Sequence, residues 1–417
     1  MQAFDKEQIL ADAIAHWNPG KTRFWQEAGV PLVIGKREMY YLYDMSGHRL
    51  IDCHLNGGTY NLGHRNPEVI AALIEGTKDF DIGNHHFPAI MRSVLCKRMA
   101  ELTPEPLTYT VLGSSGGEAI DVAIKCARYA TKRRKSVSII KAYHGHTGLA
   151  LGTADAKYAA PFLMQRPEEC IHVPFNDVPA MAKALQGGDV ASVIIETIPA
   201  TYGFPMPAEG YLQAVRELCT RYGTLYIADE VQTGLMRTGN MWGVETFGVT
   251  PDILVSAKGI SGGIYPITAT VMTAAAANWM NEDGFAHIAT YGGSELGCVV
   301  AMKVLEIVSR PSVRENVGFV GGYLRAGLDR IRAETSDFFT GIRQCGVILG
   351  LEFTGHPEAA APVMKHLYRH GVWAIFSALD PRVLQFKPGL LCDRALCDDI
   401  LTRMEAGIKD ARREVLG

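Results

Sequence analysis

A single lysine, Lys258, closes the apolar run Ile253-Leu-Val-Ser-Ala257, and glycines follow at 259, 262 and 263. A lysine held in a dry, crowded site has its charged form disfavoured, so the neutral, nucleophilic amine becomes accessible. That is the form Schiff-base chemistry requires. A lone lysine after a strand is more often a solvated end. The weight comes from a second apolar run, Thr224-Leu-Tyr-Ile-Ala228, which leads straight into the adjacent carboxylates Asp229 and Glu230. Open α/β sheets place their ligands at the carboxyl ends of strands. An acid and a lysine at two such ends suggest a lysine Schiff base with an acidic partner for a pyridinium nitrogen.

Two further segments carry chemistry of the same kind. Gly113-Ser-Ser-Gly-Gly117 separates an expected strand at 109–112 from an expected helix at 118–131. The first turn of a helix leaves backbone N–H groups unpaired, and a glycine-rich entry lets a phosphate approach them. A plain tight turn is the equally open reading. After an expected strand at 137–140 comes Lys141-Ala-Tyr-His-Gly-His-Thr147, where Tyr143 offers a flat face for a planar heterocycle, packing being the alternative. His144 and His146 have no third ligand at metal spacing, so no metal site is expected.

The elements that must position these residues follow a repeating pattern. Expected helices at 89–101, 118–131, 178–185 and 210–222 alternate with apolar runs at 109–112, 137–140, 193–195, 225–228 and 253–255. The fold class implied is α/β, a mostly parallel sheet covered by helices on both faces. The helix at 118–131 has an apolar face at Ala119, Val122, Ala123, Cys126, Ala127 and Ala130, as packing on a sheet demands.

The first fifty residues read as an arm, with weak helical periodicity at 8–17, and a meander. Strands at 31–34 and 39–43 are expected to meet at a turn on Gly35-Lys36. A glycine-rich loop then leads to a helix that Pro67 opens. After Leu296 come a long helical region, strands near 338–342, 347–353, 372–376 and 383–386, and helices at 359–370 and 394–415. This forms a smaller α+β domain, which the N-terminal meander is expected to join. The expected divisions are 1–60, 61–297 and 298–417.

Lys and Arg total 41 against 44 Asp and Glu in 417 residues, which gives no reason to expect nucleic acid or an anionic membrane as partner. No apolar stretch is long enough to span a bilayer. The nine cysteines include no C-x-x-C pair, and reduced thiols in a cytoplasmic protein are expected.

Phosphate donors, an aromatic, an acid and a lysine thus occur in this order, each at a strand end. These segments resemble those of the class III pyridoxal-phosphate-dependent aminotransferases of fold type I. Ser115-Gly-Gly-Glu-Ala119 is similar to the family's phosphate loop, Tyr143-His-Gly145 to its cofactor-stacking motif, and Asp229-Glu-Val-Gln-Thr-Gly234 to its pyridine-nitrogen motif. Ala257-Lys-Gly259 resembles the aldimine-lysine motif, and Thr290-Tyr-Gly-Gly293 the phosphate-binding threonine contributed by a neighbouring subunit. The resemblance covers nearly the whole chain.

It implies pyridoxal 5'-phosphate as cofactor, with Lys258 forming the internal aldimine and later moving a proton. Asp229 would keep the pyridine nitrogen protonated. Val231 would pack under the ring and Tyr143, in its motif with His144, over it, while Gln232 would reach the phenolic oxygen. Amides of Ser115, Gly116 and Gly117, with Thr290 of a second copy, would hold the phosphate, and a homodimer is implied. The activity implied is a ping-pong transfer of an amino group from an amine or amino acid to a keto acid or aldehyde. An aminomutase of the glutamate-1-semialdehyde type is the rival, since Pro199-Ala-Thr-Tyr-Gly203 resembles that branch. Racemases and decarboxylases share the same core residues, and a cofactor-binding regulatory protein is the reading outside enzymes.

Two departures bear on the substrate. Glu196-Thr-Ile-Pro-Ala-Thr-Tyr-Gly203 resembles the family's glutamate-proline segment, but the position often held by a gating glutamate falls on Thr201. The position that often supplies a carboxylate-binding arginine falls on Gln385, a neutral residue that cannot replace an arginine fork. The usual switch for the α-carboxylate of glutamate is therefore not expected.

Overall fold

The computed structural model describes residues 4–417; residues 1–3 of the expected N-terminal arm lie outside them. Its centre is a seven-stranded sheet in the order Tyr109–Gly113, Thr268–Met272, Ile253–Ser256, Leu225–Asp229, Val190–Glu196, Lys135–Ile139 and Cys170–Val173. All neighbours pair in parallel except Thr268–Met272, which runs antiparallel to both strands beside it. Six strands therefore point their carboxyl ends to one edge.

The central strands are buried on both faces, as alternation along a pleated strand allows. Val193, Ile195, Tyr226, Ala228 and Leu254 enter one core cluster, while Ile194, Ile227, Ile253 and Val255 enter another. The helix Gly116–Thr131 supplies Ala119, Val122, Ala123, Cys126 and Ala127 to the second cluster, and only Ala130 of its expected apolar face is not fully buried. The helices Val178–Leu185 and Tyr211–Tyr222 cover the other face.

Two smaller sheets complete the fold. Ile34–Glu38, Tyr41–Asp44 and Arg49–Asp52 form a meander, and Val372–Trp373 joins it in parallel through Val372 opposite Ile51. The N-terminal strands are thus sewn to the C-terminal part. Phe339–Cys345, Ile348–Phe353, Asp380–Phe386 and Ile375–Ser377 make an antiparallel sheet beside the long helices Pro311–Glu334 and Arg394–Leu416.

The expected turn on Gly35-Lys36 is corrected: both residues lie inside the first strand, and the chain reverses at Met39, whose φ is 48°. Local glycine content pointed to the wrong turn because the strand is exposed and carries no apolar alternation. The expected strand at 372–376 is two strands belonging to different sheets.

Glu230 shows how the strand end that carries Asp229 is held. Its carboxylate accepts from the Thr197 and Thr233 hydroxyls at 2.6 and 2.7 Å and from the Gly243 and Val244 N–H groups at 2.7 and 2.8 Å. All four donors lose their partner in Glu230→Ala. Stability should fall by about 3–5 kcal/mol, since a buried charge network is broken from one side. Urea denaturation checks this, and a loss within about 0.5 kcal/mol, the range of ordinary surface changes, would show that the donors find other partners.

Candidate active site

Five segments leave the carboxyl edge of the central sheet next to one another, and they wall a cavity of about 570 Å³. Ser115, Gly116, Gly117, Tyr143, His144, Glu196, Asp229, Val231, Gln232 and Lys258 all line it. Glu196 and Asp229 are register partners on adjacent parallel strands, which sets their carboxyl groups side by side.

Lys258 sits two residues beyond the strand Ile253–Ser256, with φ of 47° in the left-handed region. A non-glycine residue there costs about 1–2 kcal/mol. The turn is held by Ser261, whose hydroxyl donates to the Lys258 carbonyl at 2.7 Å. Burial pushes the Lys258 ammonium below its ordinary range, against the opposing pull of Asp229 and Glu196. The strained lysine thus carries an amine biased toward its neutral form.

Asp229 is positioned from two sides. Its Oδ2 meets His144 Nδ1 at 2.8 Å, and its Oδ1 accepts the Val231 N–H at 3.1 Å. His144 Nε2 in turn meets Ser138 Oγ at 3.3 Å, so the imidazole is fixed at both nitrogens. Glu196 accepts the Tyr143 N–H on one oxygen and the Ala200 N–H on the other, both at 3.0 Å. Burial and the neighbouring Asp229 raise its carboxyl to about 7, although His144 pulls the other way.

At the start of the helix Gly116–Thr131, Ser115 and Glu118 form a capping box. Ser115 Oγ accepts the Glu118 N–H, and the Ser115 N–H donates to Glu118 Oε2 at 3.3 Å. The Ser115 amide is therefore already committed, which leaves the Gly116 and Gly117 N–H groups for an anion. Glycine is required at Gly145, with φ of 121°, because a Cβ there would stand 2.8 Å from Gly117 Cα. The Tyr143 loop is thereby pressed against the helix entrance.

Three of the residues named for the site do not line this chain's cavity, one of them, Thr290, having been read as serving a second copy. Thr201 and Gln385 are not among the cavity's lining residues, and Thr290 is exposed on the segment that carries Phe285, Ile288 and Tyr291. Tyr60 also lines the cavity and stacks on His64 at 3.8 Å, whereas Trp17 and Phe87 are exposed. His85 and His86 border a separate hollow with Arg92 and Phe285.

Two residues beside the site were not foreseen. His54 has an enclosed Nδ1 without a partner, and burial together with Lys387 and Lys258 holds its imidazole neutral. Lys387 is fully buried, its amine donating to Gln385 Oε1 at 2.7 Å and Gln232 Oε1 at 3.3 Å. The signal for it was a glutamine and a lysine at 385 and 387 inside an otherwise apolar run. Arg382 pairs with Asp380 at 3.5 Å with its side chain largely exposed.

Among known proteins, the model of the family described as aminotransferase class-III matches residues 25–408. An uncharacterized aminotransferase of Archaeoglobus fulgidus is 44% identical over 414 residues, covering 99% of this chain and 96% of that one. A putrescine aminotransferase of Pectobacterium atrosepticum is 34% identical over 377 residues, 88% of this chain and 80% of that one. Among solved structures, the ornithine aminotransferase of Toxoplasma gondii ME49 superposes with a TM-score of 0.90 at 25% identity, covering 99% of this chain and 97% of that one.

The raised carboxyl of Glu196 makes a pH prediction for the cofactor-free protein. A folded-state value near 7 against an ordinary 4.5 means that the folded chain binds this proton more tightly than the unfolded one. The contribution is fully present below pH 4.5 and is lost as pH rises through 7. In Glu196→Gln that loss, on the order of 1–3 kcal/mol, should vanish. Urea midpoints of both proteins across this window give the comparison, and parallel pH profiles would contradict it.

Proposed function

Because the chain belongs to the class-III aminotransferases, we propose that its cavity binds pyridoxal 5'-phosphate and moves an amino group from a primary amine to a keto acid or aldehyde in two half-reactions. The observation that carries this reading is the meeting of Lys258, Asp229 and the open N–H groups of Gly116 and Gly117 in one cavity. The donor set fits the group the family implies: an amine biased neutral, a carboxylate held by two partners, and a helix start for a phosphate.

When bound, this cofactor supplies a sink for the electron pair left as a substrate C–H bond breaks. Lys258 Nζ would hold the cofactor and, once the substrate amine displaces it, would carry the proton from the amine-bearing carbon to the cofactor carbon. Asp229, anchored by His144 and the Val231 N–H, holds a proton on the ring nitrogen. Tyr143 and Val231, which line the cavity, would enclose the ring, and Gln232 would donate to its phenolic oxygen. Glu196 fixes the Tyr143 backbone and so the stacking residue.

The donor is proposed to be a terminal amine without a carboxylate next to the reacting carbon, such as an α,ω-diamine. Among the described residues no arginine lines the cavity. Arg237 is spent on the Pro388 and Val347 carbonyls, and Arg343 on Glu352 and the Gly203 carbonyl. A relative at 34% identity is named for putrescine, which agrees.

The proposal extends to assembly and place. Phe87, Ile90, Phe285, Ile288 and Tyr291 expose apolar surface around the hollow beside Thr290. A second copy covering this face would bring its Thr290 to the phosphate. The divisions at 60 and 297 place the large sheet in 61–297, and the smaller sheets in 1–60 with 298–417. No helix among the described residues is long and apolar enough to cross a membrane. All nine cysteines are free, in keeping with a reducing, cytoplasmic setting.

Mixing the yellow holoenzyme with an α,ω-diamine in the absence of acceptor should bleach its absorbance, and α-amino acids should do so at least about tenfold more slowly. Lys258→Ala should slow the diamine half-reaction by at least about a hundredfold. No bleaching by any amine, with turnover of a single aminoaldehyde instead, would favour the aminomutase.

For assembly, light scattering should give the mass of two chains, and Thr290→Val should weaken cofactor binding about tenfold, the worth of one hydrogen bond to a charged oxygen. A monomer that binds cofactor as tightly as wild type would refute the shared site.

A further inference from the structure

Lys387 stands one residue past the strand Asp380–Phe386 and is 1% exposed. Its backbone N–H donates to the Cys53 carbonyl at 2.6 Å, and its amine lies 5.2 Å from the centroid of the Phe204 ring. Among the described residues, its amine meets only the side-chain oxygens of Gln385 and Gln232 at hydrogen-bond distance. The charged groups around it are Arg237, Lys258, Asp52 and Glu196, and His54 lies close enough to be held neutral by it. A buried amine without a carboxylate partner is costly to keep, so what it does for its neighbours matters.

An ammonium can only donate, and a carboxamide has one accepting and one donating end. Lys387 therefore turns the oxygen of Gln232 toward itself, and the NH2 of Gln232 becomes the end left for the cavity. Gln232 lines that cavity next to Lys258, and both crowd the same glycine: a Cβ on Gly57 would lie 2.8 Å from Lys258 Cε and 3.4 Å from Gln232 Oε1. Burial and the nearby cations push the Lys387 amine well below its ordinary range. A neutral amine keeps two N–H groups, enough for both donations, while its lone pair also lets it accept, so the lock is strict only while the amine holds its third proton.

We infer that Lys387 is a positioning residue that locks the Gln232 amide with its NH2 facing the cavity, so that the site offers a donor to the cofactor's phenolic oxygen. This rests on the reading that pyridoxal phosphate fills the cavity. Without Lys387 nothing else among the described residues holds the Gln232 oxygen back, and a flipped amide would set oxygen against oxygen.

The test uses the purified holoenzyme of wild type, Lys387→Met, Gln232→Leu and the double variant. Two quantities are read: the dissociation constant for pyridoxal phosphate and the pH midpoint at which the yellow absorbance of the bound cofactor is lost. In Lys387→Met the dissociation constant should rise about tenfold and the midpoint should move up by about one unit, as the phenolic oxygen loses its donor. In the Gln232→Leu background the same substitution should change neither, because residues acting through one contact are not additive. Since Asp52, Glu196, His54, Arg237 and Lys258 also face the amine, a direct charge effect would persist in that background and overturn the inference. So would a Lys387→Met protein with both quantities unchanged. Lys387→Gln, one atom shorter, is measured in the same way and settles the matter if the methionine variant does not fold. Failure of the wild type to bind the cofactor would instead reject the reading beneath it.

Discussion

The desolvation of one amine is the constraint around which the site is arranged. Lys258 is placed by a strand that is buried on both faces, in a left-handed conformation that costs energy, half-buried at the wall of the cavity. Burial moves the amine toward its neutral form, while Asp229 and Glu196 pull it toward the charged one. Glu196 softens that pull, because its own burial and its closeness to Asp229 raise its carboxyl to about 7, so that it carries only part of its charge near neutral pH. Of the two acids beside the lysine, Asp229 is the one tied to His144 and Val231.

The sheet makes this arrangement possible. Because its central strands send alternate residues into two separate cores, their carboxyl ends carry the polar groups. The segments there are held by short-range devices: the capping box of Ser115 and Glu118, the four donors on Glu230, and the glycine contact between Gly145 and Gly117. Each leaves a defined residual capacity, such as the open N–H groups of Gly116 and Gly117.

Much of this was legible in the sequence because the decisive residues punctuate apolar runs. Asp229 and Lys258 each close a buried strand, and the strand termini fall within a few residues of the expected ones. Thr268–Met272 was missed as a strand: it reads as a short run among glycines and alanines, and its antiparallel place depends on partners 13 and more residues away. The exposed strand Ile34–Glu38 was misplaced because it has no apolar pattern to phase it. Lys387 is not legible as a buried amine in the sequence; only the packing of residues 383–390 makes it interior. Thr201 and Gln385, read as substrate contacts, are not among the lining residues; the Thr201 carbonyl accepts the Leu379 N–H, and Gln385 Oε1 accepts from Lys387.

The most direct test is the acid strength of the Lys258 amine itself. Competitive acylation of the cofactor-free chain from about pH 7 to about pH 11, read peptide by peptide by mass spectrometry, compares it with the exposed lysines of the same molecule. The account predicts that Lys258 reaches half-maximal reactivity at a pH below 10.5 and below those surface residues. A Lys258 that titrates with them, or above them, would contradict it.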